Sequence, residues 1–86
     1  MKILYSRHAR QRLKLYEIQK EHVESILLKD GAEQQPLNQR RELIAFDYVA
    51  EYGYPLFVGY VRELKGITIV TVFPYDRETN YEDIIR

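Results

Sequence analysis

Cysteine and tryptophan are both absent, and the 86 residues include only four glycines, three prolines and one methionine. Without cysteine there is no disulfide scaffold, no thiolate nucleophile and no cysteine-bearing zinc site, which fits a reducing compartment. Nowhere do eighteen consecutive apolar residues occur, and Met1 leads into Lys2-Ile3-Leu4-Tyr5 rather than into the apolar run of a signal peptide. The expectation is a cytoplasmic protein with no membrane partner. Histidine is scarce too: His8 and His22 are the only two, a metal would need carboxylates beside them, and no spacing provides such a set. No cofactor and no metal site are expected.

What is present belongs to a folded chain. Hydrophobic content of 45 % with 30 % charged residues lies in the globular range. A chain of this length buries about 60 to 65 % of its unfolded surface, enough for one modest core, so residues 1–86 read as a single domain. Net charge is zero but unevenly spread. Residues 1–16 carry Lys2, Arg7, Arg10, Arg12 and Lys14 and no acid, which leaves the remainder with an excess of acids. Such asymmetry suits an anionic partner, with a solvated basic helix face as the plainer alternative.

Periodicity divides the chain into helices first and strands second. Ser6 is an N-cap, and Ala9, Leu13 and Tyr16 follow at i, i+4 and i+7, so a helix with one apolar stripe runs to about residue 16. His8 and Arg12, four apart, flank that stripe. A second helix spans about 20–29, with Val23, Ile26 and Leu27 as its inner face and Asp30-Gly31 as its stop. From Arg41 the period becomes two, with Ile44, Phe46, Tyr48 and Ala50 alternating with Leu43, Ala45, Asp47 and Val49, which predicts a strand up to the turn Tyr52-Gly53-Tyr54-Pro55. Strands over 56–64 and 67–73 follow, joined at Lys65-Gly66. The predicted class is α+β: two N-terminal helices packed on a twisted antiparallel sheet of three to four strands. The last strand is apolar on both sides, Ile67, Ile69 and Phe73 on one and Val70 and Val72 on the other. The second side is covered by the tail, by a second copy, by a partner protein or by the chain's own loops. Residues 75–86, acidic on balance, read as a final helical turn or as disordered.

Several short motifs now stand together: Ser6-Arg7-His8-Ala9-Arg10-Gln11-Arg12 at the start, Arg40-Arg41 opening a strand, Pro55-Leu56 leading into the next, and Thr71-Val72-Phe73-Pro74 at the end. In these the chain resembles a small bacterial domain family of the RelE/ParE/BrnT-like toxin superfamily, the branch that opens on Ser-x-His-Ala-x-x-Arg. Gln19 stands where that family usually has Ser or Thr as the cap of the second helix, and the tail follows no family pattern. The resemblance implies a RelE-like fold and either a metal-free RNA endonuclease of a toxin–antitoxin pair or a non-catalytic protein-interaction module of the same fold. RNA or the ribosome, a cognate antitoxin protein and a second copy of this chain are the partners to expect.

RNA cleavage without a metal needs a group to take the 2′-hydroxyl proton, a group to protonate the leaving 5′-oxygen, and cations at the phosphate. His8 is the candidate for proton exchange, since an ordinary imidazole titrates near neutrality. Arg12, one helical turn away, is a phosphate ligand, Arg62 a second, and Tyr75 could approach the same cleft. Arg7, Arg10, Lys14 and Arg77 are the candidate nucleic-acid contacts. Each has a structural alternative: His8 in packing, Arg12 paired with Glu17 or Glu42, Arg62 as an edge solubiliser. His22 reads as a surface residue, and Tyr48 and Tyr60 as core or cross-strand residues. Under the module reading, the basic helix or the two-sided last strand receives the cognate protein.

Overall fold

The computed structural model describes residues 2–76. Strand β1 (Ile3–Tyr5) runs into Ser6, whose hydroxyl accepts from the Ala9 amide at 3.0 Å and donates to the Val70 carbonyl at 2.8 Å. One side chain thus starts helix α1 (Arg7–Leu15) and ties that start to the last strand. At the other end Glu17 takes a left-handed conformation, φ 53°, and the Ile18 amide reaches back to the Leu13 carbonyl at 2.9 Å. The resulting Schellman turn carries Ile18 into the core. Helix α2 (Lys20–Asp30) ends at Gly31, φ 72°, where glycine removes the Cβ penalty of the left-handed cap. A 3-10 turn (Ala32–Gln34) and a polar loop lead to strand β2 (Arg40–Ala45).

The alternation of residues 41–50 is not all strand. Past Ala45 the chain turns outward, Lys29 holds Asp47 at 2.7 Å, and Val49–Tyr52 form a one-turn helix, α3. Pairing to β3 (Leu56–Glu63) begins at Leu56, opposite Ala45, immediately after Pro55, which has no amide to donate. Strand β4 (Gly66–Pro74) completes the sheet, in the order β1-β4-β3-β2. The expected antiparallel arrangement holds for β2, β3 and β4, whereas β1 lies parallel to β4, Ile3 beside Ile67 and Tyr5 beside Ile69. Among the described residues the class is therefore α+β, with a four-stranded mixed sheet.

An irregularity in β4 reassigns its two faces. Gly59 pairs with Thr71 but Tyr60 pairs with Ile69, so Val70 is an extra residue, a bulge that shifts the alternation by one. Val72 consequently joins Ile67 and Ile69 in the core, and Phe73, expected beside them, faces the other way. Helices α1 and α2 cover the first face with Ala9, Leu13, Val23, Ile26 and Leu27 against Leu56, Val58, Tyr60 and these β4 residues. Tyr16 packs at the edge of this core, only partly buried. Each fully buried leucine or valine here contributes roughly 1.5 to 3 kcal/mol. Asp30 latches α2 to the sheet: it accepts from the buried Tyr60 hydroxyl at 2.7 Å and from Arg41 through Nε at 2.7 Å and Nη2 at 3.1 Å. Burial and the carboxylate beside it push the Tyr60 hydroxyl up, so it stays protonated as a donor.

Candidate functional site on the second sheet face

Residues of the opposite parity make the second face. From β2 come Arg40, Glu42 and Ile44; from β3, Phe57, Gly59 and Val61; from β4, Thr71 and Phe73. The register aligns Glu42, Gly59 and Thr71 in one row across three strands. Helix α1 extends that row. Strand β1 stops at Tyr5, opposite Ile69, so the edge of β4 beyond it is met by Ser6, whose amide donates to the Ile69 carbonyl at 3.0 Å. Starting there, α1 swings His8 around the edge, and His8 Nε2 lies 2.9 Å from Thr71 Oγ1. Thr71 is the one buried polar residue among those described, and a hydroxyl can both donate and accept. His8 therefore keeps this partner whether its ring nitrogen carries a proton or not.

The cation of the site is Arg40. A Cβ built on Gly59 would stand 3.1 Å from Arg40 Nη2 and 3.2 Å from the Thr71 methyl, so the guanidinium lies over the bare glycine and borders, with the Thr71 methyl, the space of the missing side chain. Arg40 Nη2 also meets Glu42 Oε2 at 2.9 Å, with both side chains about half exposed. A carboxylate and an imidazole thus stand at the two ends of a row whose centre is occupied by a guanidinium. Two strand spacings, roughly 10 Å between backbones, separate Glu42 from Thr71, and the imidazole lies one hydrogen bond beyond Thr71. Arg12 adds a second cation, its Nε 3.4 Å from His8 Nε2, to which it donates only while that nitrogen is unprotonated, and its Nη1 donating to the Tyr16 hydroxyl at 3.4 Å. Beyond the row, Phe73 stacks on Phe57 with ring centres 4.9 Å apart, and Tyr75 stacks on the same Phe57 at 6.2 Å.

The structure brings His8 and Arg12 together and separates Arg62 from them. Arg62 lies opposite Ile67, four positions along β4 from Thr71, or about 13 Å, and on the helix-covered face. Its guanidinium donates to the Gln35 carbonyl at 2.9 Å and fastens the loop before β2. Tyr75 shares the face with Thr71 but is four residues further on, also about 13 Å along the chain, so it borders the row rather than joining His8. Arg7 and Lys14 are exposed on the flank of α1 away from His8, and Arg10 there donates to the Tyr5 carbonyl at 3.2 Å. Arg77 lies outside the described residues. His22 is no free surface residue: it stacks on Tyr48 at 4.0 Å, meets the Tyr52 hydroxyl through Nδ1 at 2.6 Å and Glu51 through Nε2 at 3.3 Å. That cluster fastens α3 to α2.

Arg40 and Thr71 stand in short sequence motifs that do not mark them as candidate site residues, and Glu42 and Gly59 belong to no motif. Arg40 and Glu42, two apart on a strand, must share a face, and that signal was available. Their meeting with Thr71 was not, because it depends on the sheet order and the bulge. Among the described residues no group of three or more histidines and acids is placed to hold a metal, and no helix is long and apolar enough to cross a membrane. Searches against protein-family models, curated proteins and solved structures found no match to this chain.

Proposed function

We propose that the protein is a metal-free RNA endonuclease of toxin type, with a RelE-like fold, working on the second sheet face. The observation that carries this reading is the row itself, in which proton-exchanging groups, Glu42 and His8, flank a cation, Arg40, laid on Gly59. Arg40 holds the scissile phosphate, displacing its contact with Glu42. The freed Glu42 carboxylate takes the proton of the 2′-hydroxyl, and the 2′-oxygen forms its bond to phosphorus. The bond from phosphorus to the 5′-oxygen breaks, and the His8 imidazolium gives that oxygen its proton. The products are a 2′,3′-cyclic phosphate and a 5′-hydroxyl. Arg40 and Arg12 offset the charge gathering on the phosphorane, the kind of stabilisation that contributes most when donors are already in place. Thr71 orients the imidazole.

His8→Gln keeps a hydrogen-bonding side chain against Thr71 but cannot exchange a proton at neutral pH. Cleavage should fall by about 100-fold or more, the usual size of a general acid or base contribution, with the melting temperature nearly unchanged. Expression in bacteria should slow growth for the wild type and not for the variant. A variant with full activity per folded molecule would leave His8 with packing alone.

One observation favours the interaction module as a second reading. Among the described residues β2 is an outer strand, and it carries Ile44 and, just beyond its end, Phe46, which is 70 % exposed. Such an edge fits a cognate antitoxin protein, and binding there would cover Arg40 and Glu42.

A further inference from the structure

The φ of Gly59 does not itself demand glycine, although the register shift of the β3–β4 pair falls between Gly59 and Tyr60. Gly59 sits inside β3 with extended neighbours on both sides, and its φ is not in the left-handed range that distinguishes Gly31, Gly53 and Gly66. A β-branched residue is favoured at such a place, and glycine inside a strand costs roughly 0.5 to 1 kcal/mol relative to alanine. Nothing in the core requires the small residue, because Gly59 points away from the helices. What stands in the space of its missing side chain is the Arg40 guanidinium, whose Nη2 and Cζ lie 3.1 and 3.7 Å from the point a Cβ would occupy, and the Thr71 methyl at 3.2 Å.

We propose that Gly59 is a positioning residue kept for function at the expense of stability: it forms the floor of an oxyanion seat, holding Arg40 flat beside Thr71 and His8 so that one tetrahedral phosphate group binds over the middle of the row. The seat deepens the nuclease reading and rests on it for the identity of the phosphate, which is that of an RNA backbone. The floor acts by geometry. The Thr71 methyl need give by only a few tenths of an ångström, whereas Arg40, a long and half-exposed side chain, can swing away from the sheet. A methyl group on residue 59 therefore lifts the guanidinium off the sheet and leaves the hydroxyl and imidazole behind. The donors cease to converge on one anion, although each is still present.

The test separates the seat from the chemistry by using inorganic phosphate as probe, followed by NMR at the Arg40 Nε–H and the His8 ring, with melting temperatures recorded alongside. In the wild type phosphate should shift both groups, saturably and together. Gly59→Ala should melt no lower than the wild type, consistent with a strand that loses a glycine, while its phosphate affinity falls about 10-fold, the size of one charge-assisted hydrogen bond. Arg40→Ala should abolish the response, and adding Gly59→Ala to it should change nothing further. With RNA, Gly59→Ala should raise KM more than it lowers kcat. A Gly59→Ala protein that melts several degrees lower, or that binds phosphate as the wild type does, overturns the proposal, as does a wild type in which phosphate shifts neither group. A wild type that binds phosphate at this seat but cleaves no RNA leaves the seat standing and removes the nuclease.

Discussion

Asp30 shows how much one side chain holds. It joins the end of α2 to β2 through Arg41 and to the core through Tyr60. The Arg41 guanidinium holds its carboxyl below the ordinary carboxylate range, with the Tyr60 hydroxyl adding to this and burial opposing it. A carboxyl that binds its proton less readily when folded stabilises the fold fully above its unfolded pKa, about 3.9, and loses that contribution as pH falls through this value toward the folded one. Asp30→Asn retains an acceptor for Tyr60 and removes the ion pair. It should lower stability at pH 7 by about 1 to 3 kcal/mol, and the gap from wild type should narrow below pH 4. Urea titrations at both pH values check this; a constant gap would mean that Arg41 contributes nothing through charge.

At the scale of elements, caps were legible and their exceptions were not. Ser6 and Asp30-Gly31 mark helix ends because each residue type satisfies a specific orphan backbone group. The end of α1 gives no such sign, since Glu17 takes the left-handed position where glycine is the usual choice. Glu17→Gly should therefore raise stability by about 1 kcal/mol, read as a higher melting temperature; a fall would show that the Glu17 side chain contributes more than its backbone costs. Alternation found the strands and overran β2, because the turn at Phe46 is set by Lys29 reaching Asp47 and by the clamp of His22 on Tyr48 and Tyr52, contacts between distant residues. The bulge at Val70 had no local signal either. Yet that bulge puts Thr71 on the face where His8 meets it. Spacing places His8 and Arg12 side by side, as the structure does, whereas the distance of Arg62 from them and the meeting of Arg40, Glu42 and Gly59 depend on strand order and register.

Across the whole molecule, α1 serves two surfaces. One flank brings His8 and Arg12 to the row; the other carries Arg7, Arg10 and Lys14, the surplus charge of a neutral chain. If the second flank tracks the RNA backbone, reversing those three residues to glutamate should weaken RNA binding without changing the circular dichroism spectrum. The log of affinity should also fall with the log of salt by about 0.7 for each phosphate neutralised on a single strand. Salt-independent retention would instead make that flank a protein-binding surface.

The central claim is that Glu42, Arg40 and His8 form one site for attack by a 2′-hydroxyl. It is tested most directly by giving the purified protein, in the presence of a metal chelator, two versions of one cleavable RNA that differ only in a single 2′-deoxy nucleotide at the cut. The account predicts cleavage of the first to a 2′,3′-cyclic phosphate and a 5′-hydroxyl, no cleavage at the deoxy position, and loss of about 100-fold or more in both His8→Gln and Glu42→Gln. Cleavage that ignores the missing hydroxyl, or an intact rate in either variant, would contradict it.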